Sequence, residues 1–248
     1  MACPRGRCFA RLPSTWPTMN RLTHFRLCPI SRYTRLAMSE TGLEAQLVEE
    51  PAWEQRPQLL ALNPAGELPV LELERGLVLC GPSAIGEYLA EEARARGHDI
   101  APGLLPHDRE DRAEARRLVD WCHRKLDREV TREMLIEKVY VRLSGRTEYV
   151  PDPDVLRAAR ANLRYHMSYL AYLAHQRRWL AGEDLSLADL AAAAHLSCLD
   201  YIGEVPWDDY PVARGWYARL KSRPSFRALL ADRIPGLPPP LHYTDLDF

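Results

Sequence analysis

Apolar positions along this chain change their period once, near residue 107. Upstream of it the apolar runs are short and broken by turn residues. Leu22-Thr23-His24-Phe25-Arg26-Leu27 is a short alternating segment, Cys28-Pro29 interrupts it, and Ser31 to Glu40 reads as a helix that ends before Gly42. Leu43 to Val48 reads as a second strand and Pro57 to Leu62 as a helical turn. Leu68 to Leu73 and Gly76 to Cys80 form a strand pair, and a helix from Ser83 to Glu92 closes the unit. The order β-α-β then β-β-α, with short connections, predicts a thioredoxin-like α/β domain over residues 19–93.

Residues 94–107 read as a linker because Gly97, Pro102, Gly103 and Pro106 interrupt any period. Beyond it the pattern is helical throughout, which predicts an all-α bundle over residues 108–234. Asp108 to Leu143 reads as one long helix or a broken pair, with Leu118, Cys122, Leu126, Val130 and Met134 recurring every fourth residue. A helix bearing Val155, Ala159, Leu163, Met167, Leu170 and Leu173 faces it. Ser186-Leu187-Ala188-Asp189 has the spacing of a capping box and opens a helix at 187–202 that is apolar almost all round, so that helix belongs at the bundle centre. Pro211 and Pro224 each stand at a helix first turn. Residues 235–248 form a proline-led tail.

Composition narrows the function classes. With 46% hydrophobic and 27% charged residues and a net charge of −1, the chain resembles an ordinary globular protein and not a general nucleic-acid or membrane-surface binder. No apolar run is long enough to span a bilayer, and no secretory apolar segment opens the chain. Residues 1–35 carry seven arginines and no acidic residue. Residues 1–18 lack a core-forming pattern, so they read as a disordered leader or a misassigned start, with Met19 as the natural beginning. The six cysteines form no C-x-x-C pair, which fits a reducing cytoplasm, and the histidines show no metal-ligand spacing, so no metal site is expected. His195, inside an apolar helix, reads as a satisfied buried histidine.

Four places carry candidate chemistry. Cys28 stands where a strand meets a helix, a position that can lower a thiol pKa, and it is the one candidate nucleophile; Ser31 and Tyr33 are weaker hydroxyl candidates. Pro69 enters a strand, which marks an edge, a first strand position or a cis turn, and leaves backbone groups free for an extended peptide. Ser83 lies in a helix first turn, where amides and the helix dipole favour a carboxylate. The tail is extended by Pro238-Pro239-Pro240. It presents His242, Tyr243, Asp245, Leu246, Asp247 and Phe248 as aromatic and apolar anchors ringed by acid, a composition that favours docking over folding back onto the N-terminal domain.

Taken together, Cys28-Pro29-x-Ser31, Asn63-Pro64, Glu67-Leu68-Pro69-Val70, Ser83-Ala84-Ile85 and the Ser186–Asp189 box resemble the glutathione S-transferase superfamily over about residues 20–231. The final segment, from Trp216-Tyr217 to the tail, is similar to the bacterial subgroup of that superfamily that binds the tubulin-like division polymer FtsZ. The resemblance implies a cis Pro69 and glutathione contacts from Leu68, Pro69, Val70 and Ser83. The acidic or amide residue that precedes the serine in transferases is Pro82 here, which removes a side-chain contact and a backbone donor. The loss of one charge-assisted hydrogen bond costs about 1.5–3 kcal/mol, so glutathione is expected to bind weakly and no cofactor is required. The resemblance further implies a cytoplasmic homodimer at the division site, with FtsZ as partner and little or no enzymatic activity. The alternative is a glutathione-dependent transferase or thiol reductase using Cys28.

Overall fold

A computed structural model describes residues 19–96, 103–146 and 148–246. The proposed leader, Asp247, Phe248 and residues 97–102 of the expected linker lie outside them. The N-terminal part is β1 (Arg21–His24), α1 (Pro29–Thr41), β2 (Gln46–Glu49), α2 (Pro57–Leu62), β3 (Val70–Glu72), β4 (Val78–Cys80) and α3 (Pro82–Ala95). The sheet order is β2-β1-β3-β4, with β1 parallel to β2 and the other two pairs antiparallel. The crossover through α1 is what allows the parallel pair. Register places Leu22 between Leu47 and Leu71. Leu22 and Leu71 pack with Leu36 of α1 and with Ile85 and Leu89 of α3 in the main core. Gly42 ends α1 in the left-handed conformation at φ 69°, its N–H returning to Met38 and Ser39 carbonyls, a geometry that glycine adopts without a Cβ penalty.

The helical part begins at α4 (Arg109–Asp120) and continues without a break through Trp121–Thr131, α5 (Arg132–Leu135), Ile136–Tyr140 and α6 (Val141–Leu143). Trp121–Thr131 and Ile136–Tyr140 are wound as π-helix. The sequence pattern explains why. A step of four residues overshoots a 3.6-residue turn by about 40°, so a strict period-four stripe on an α-helix would rotate away from its partner. Wider turns hold Leu118, Cys122, Leu126, Val130 and Met134 on one buried line. Of the long helix or broken pair that the pattern allows, the structure has one continuous helix, wound more widely in two stretches.

The bundle is completed by α7 (Pro153–Gln176), α8 (Leu187–Tyr201), α9 (Pro211–Lys221) and α10 (Arg227–Leu230). Every residue of α8 is buried, and it packs between α1 of the N-terminal domain and the long helix. Its start carries the predicted box. Asp189 accepts from the Ser186 N–H (3.0 Å), the Ser186 hydroxyl (3.0 Å), the Leu180 N–H (2.8 Å) and Trp216 Nε1 (2.9 Å), while Ser186 Oγ accepts from the Ala188 N–H (3.2 Å). Asp189 thus ties the helix start to a preceding turn and to α9, well beyond a local cap.

That difference sets an order of stability effects. Ser186→Ala removes a cap and should cost about 0.5–2 kcal/mol. Asp189→Ala strands several buried donors at once and should cost roughly 3–5 kcal/mol. Denaturant melts of the two variants check this; equal, small losses would refute the assignment of Asp189 as the tie between α8 and α9.

Candidate functional site

Between the sheet domain and the long helix lies a cleft of about 750 Å³. The N-terminal domain contributes Phe25, Cys28, Ile30, Trp53, Glu67, Leu68 and Ser83, and the long helix contributes His123, Arg124, Asp127, Arg132, Leu135 and Tyr140. One end is aromatic. Trp53 stacks on Tyr140 with ring centres 5.5 Å apart, and Phe25 meets both edge-on at 5.0 and 5.8 Å. Tyr140 donates its hydroxyl to the Leu27 carbonyl (3.1 Å), which ties the long helix to the turn that carries Cys28.

Cys28 caps α1, its sulfur accepting from the Ser31 N–H (3.5 Å) and lying 4.0 Å from the Leu68 carbonyl. Burial pushes this thiol above its ordinary value; the hydrogen bonds from Ser31 and Ile30 pull the other way without overcoming it. A helix N-terminus can lower a thiol pKa, and in this setting desolvation outweighs it. Ser31 is fully buried, with its hydroxyl accepting from the Phe25 N–H (3.3 Å), so it is a brace inside the turn and no wall of the cleft. Tyr33 is likewise fully buried; Gly86 makes room for it, since a Cβ there would stand 2.0 Å from the Tyr33 hydroxyl.

The backbone around Pro69 is less open than its proline-led strand suggests. The Leu68–Pro69 bond is cis, as the resemblance implies. However, β3 is an interior strand: Val70 faces Thr23 on one side and Cys80 on the other, and both Pro69 and Val70 are buried. Of the four residues expected to contact glutathione, only Leu68 and Ser83 line the cleft. Ser83 is exposed, one residue into α3 behind Pro82 and Gly81. No group of three or more acidic, histidine or cysteine side chains suited to a metal occurs among the described residues.

One buried polar line is not visible from the apolar stripe alone. Displaced from it by one position runs a second period-four line, His123, Asp127 and Thr131, polar and buried. Asp127 is paired with Arg132 at 2.8 Å. His123 Nδ1 lies 3.1 Å from His195 Nε2, and His195 Nδ1 lies 3.0 Å from Thr131 Oγ1. His195 is therefore a satisfied buried histidine, as expected. A polar line adjoining an apolar one at the same spacing was the signal available in the sequence.

The tail departs from expectation. It was read as an extended, exposed docking element, yet Pro240 leads into a 3₁₀ turn, Leu241–Tyr243, that folds back onto the seam between α1 and α8. Tyr243 is fully buried; its hydroxyl donates to the Leu229 carbonyl (3.0 Å) and accepts from Arg32 (3.0 Å), and its ring meets Tyr201 edge-on at 5.1 Å. His242 Nε2 lies 3.0 Å from buried Asp200, and Lys221 donates to the His242 carbonyl (2.9 Å). An aromatic ring with a satisfiable hydroxyl gains more from this pocket than from water. Tyr243 is therefore a strap, while Leu241 (95% exposed) and Leu246 (42% exposed) face outward.

A small mixed sheet with a cis-proline turn, a cleft against a helical domain and a capped central helix define the glutathione S-transferase fold. Residues 27–92 match the family described as "Glutathione S-transferase, N-terminal domain", and residues 133–224 match "Glutathione S-transferase, C-terminal domain". The chain belongs to this family. It is 47% identical over 230 residues to FtsZ-localized protein A of Caulobacter vibrioides, covering 92% of this chain and 97% of that protein. The solved structure of FzlA from C. crescentus superposes with a TM-score of 0.86 at 47% identity, covering 93% of this chain and all of that one. A glutathione S-transferase structure from Sinorhizobium meliloti superposes with a TM-score of 0.87 at 46% identity, with the same coverage.

Two measurements test this site. A raised thiol pKa means less thiolate at any given pH, so iodoacetamide should alkylate Cys28 more slowly than an unstructured cysteine at about pH 8, with the rate still climbing above the usual thiol range. Mass spectrometry of timed samples reads it, and a rate that plateaus near neutrality would mean an activated thiolate. For the tail, Tyr243→Ala should destabilise the fold by about 3–5 kcal/mol, as loss of a buried aromatic does. An unchanged melting temperature would return the tail to the extended, exposed state.

Proposed function

We propose that this protein is a transferase-fold binding partner of FtsZ polymer, acting as a cytoplasmic homodimer at the division site and needing no cofactor. The observation that carries the reading is the 47% identity to FtsZ-localized protein A across nearly the whole of both chains. A relative of almost equal identity is called a glutathione S-transferase, so similarity alone does not separate binder from enzyme. What favours the binder is the chemistry of the cleft: burial raises the Cys28 thiol, Ser31 and Tyr33 are enclosed, and Pro82 precedes Ser83. No helix among the described residues is long and apolar enough to cross a membrane.

The docking element is then the pinned turn and not a free tail. Tyr243 fixes the turn to the core, Leu241 and Leu246 are exposed, and Asp245 lines a hollow with Asp208, Asp209 and Arg214. A preordered turn avoids the ordering cost that a flexible segment would meet on binding. Two copies in a dimer would contact neighbouring filaments at once, so weak single contacts add by avidity.

Changing both Leu241 and Leu246 to Asp should lower co-sedimentation with purified FtsZ polymer by more than about tenfold while leaving the melting temperature unchanged, because the two side chains are exposed. Undiminished pelleting of the double variant would remove the turn from the interface. Calorimetric titration with glutathione should show no sub-millimolar binding; tight binding with Cys28-dependent turnover would replace the binder by the enzyme.

A further inference from the structure

Tyr243 of the tail and the turn that carries Cys28 are joined by one side chain, the buried Arg32 guanidinium. Its Nη1 donates to the Tyr243 hydroxyl (3.0 Å) and to Ser197 Oγ (3.0 Å), while its Nε donates to the Arg26 carbonyl (2.7 Å). Arg26 lies two residues before Cys28, inside a turn that the Cys28 N–H closes onto the Phe25 carbonyl (3.0 Å). From its other side the turn is held by Tyr140 and Cys198, whose hydroxyl and thiol reach the Leu27 carbonyl at 3.1 and 3.5 Å. Ser197, Tyr140 and Cys198 belong to the long and central helices, whereas Tyr243 sits in a three-residue turn close to the chain end. Releasing that turn breaks no helix and no strand, so it is the tie that opens at least cost.

The guanidinium is a rigid plane, so its donors do not move independently. When the Tyr243 hydroxyl leaves, Nη1 keeps Ser197 alone, the plane is free to tilt, and the Nε bond to Arg26 weakens with it. Cys28 registers the change because desolvation in the closed turn disfavours its thiolate, and a looser turn relieves that desolvation.

We propose that the tail is a strap that governs the cleft thiol: docked, it holds the Phe25–Cys28 turn closed through Arg32 and keeps Cys28 slow to react; released, it lets the turn open and makes Cys28 reactive. Arg32 is the positioning residue in this device. The inference goes beyond polymer binding, and its test uses no polymer.

Tyr243→Phe in the full chain keeps the ring in its pocket and removes only the hydroxyl. Timed iodoacetamide labelling, read cysteine by cysteine by mass spectrometry, should show Cys28 reacting roughly threefold to tenfold faster, the worth of one hydrogen bond expressed as a rate ratio. Buried Cys122 in the long helix is the internal control and should keep its rate. Arg32→Lys removes the planar fork, so adding Tyr243→Phe to it should change the Cys28 rate no further; effects that multiply independently would take Arg32 out of the path. Deuterium uptake at the Cys28 amide should also quicken in Tyr243→Phe while α8 stays protected, which carries the test if Arg32→Lys does not fold. An unchanged Cys28 rate in Tyr243→Phe, or Cys28 and Cys122 quickening together as general loosening would make them, overturns the strap.

Discussion

The Arg32 guanidinium is the point at which the two domains and the tail are joined. It is fully buried, and it donates to the Arg26 carbonyl (2.7 Å), Ser197 of α8 (3.0 Å) and Tyr243 of the tail (3.0 Å), with Asp232 at 3.4 Å. The rings of Tyr201 and Tyr243 lie within 6 Å of the charge. Burying a guanidinium is costly unless its donors are met, so the charge holds four separate stretches of chain in one arrangement. Arg35, one turn further along α1, adds a two-pronged contact to Asp232 at 2.8 and 3.1 Å. With α1 fixed against α8, the cleft between the sheet and the long helix has a fixed width.

A second tie works from the far end of the same helix. Glu40 accepts from Arg223 through two 2.7 Å bonds and from Ser225, so α1 is anchored to the segment after α9 as well. These buried polar contacts, and not area alone, decide how the domains are docked: an apolar helix such as α8 would accept several rotations of α1, whereas directed hydrogen bonds accept one. The tail participates in this arrangement, which is why its aromatic residue belongs to the core and its leucines to the surface.

Within the cleft the Cys28 thiol is held above its ordinary value. Cys28 occupies the helix start where activation is possible, but in its half-buried setting desolvation disfavours the thiolate. The cleft is walled by both domains, with Trp53 from the first and His123 and Tyr140 from the long helix.

Periodicity and punctuation determined the elements. The period-two segments, the period-four stripe, Gly42 and the Ser186–Asp189 box are local features, and each appears where local physics puts it. The cis turn at Pro69 and the burial of α8 were equally legible, the first through the resemblance and the second because a helix apolar all round has nowhere else to go. Tertiary structure decided what depends on distant partners. Tyr243 reads as an exposed anchor until Arg32, some two hundred residues earlier, supplies its hydrogen bond. Cys28 stands at a helix start that can lower a thiol pKa, and desolvation by its surroundings turns the shift the other way. In each case the deciding term was burial or pairing by a group far away in sequence, which periodicity and composition do not encode.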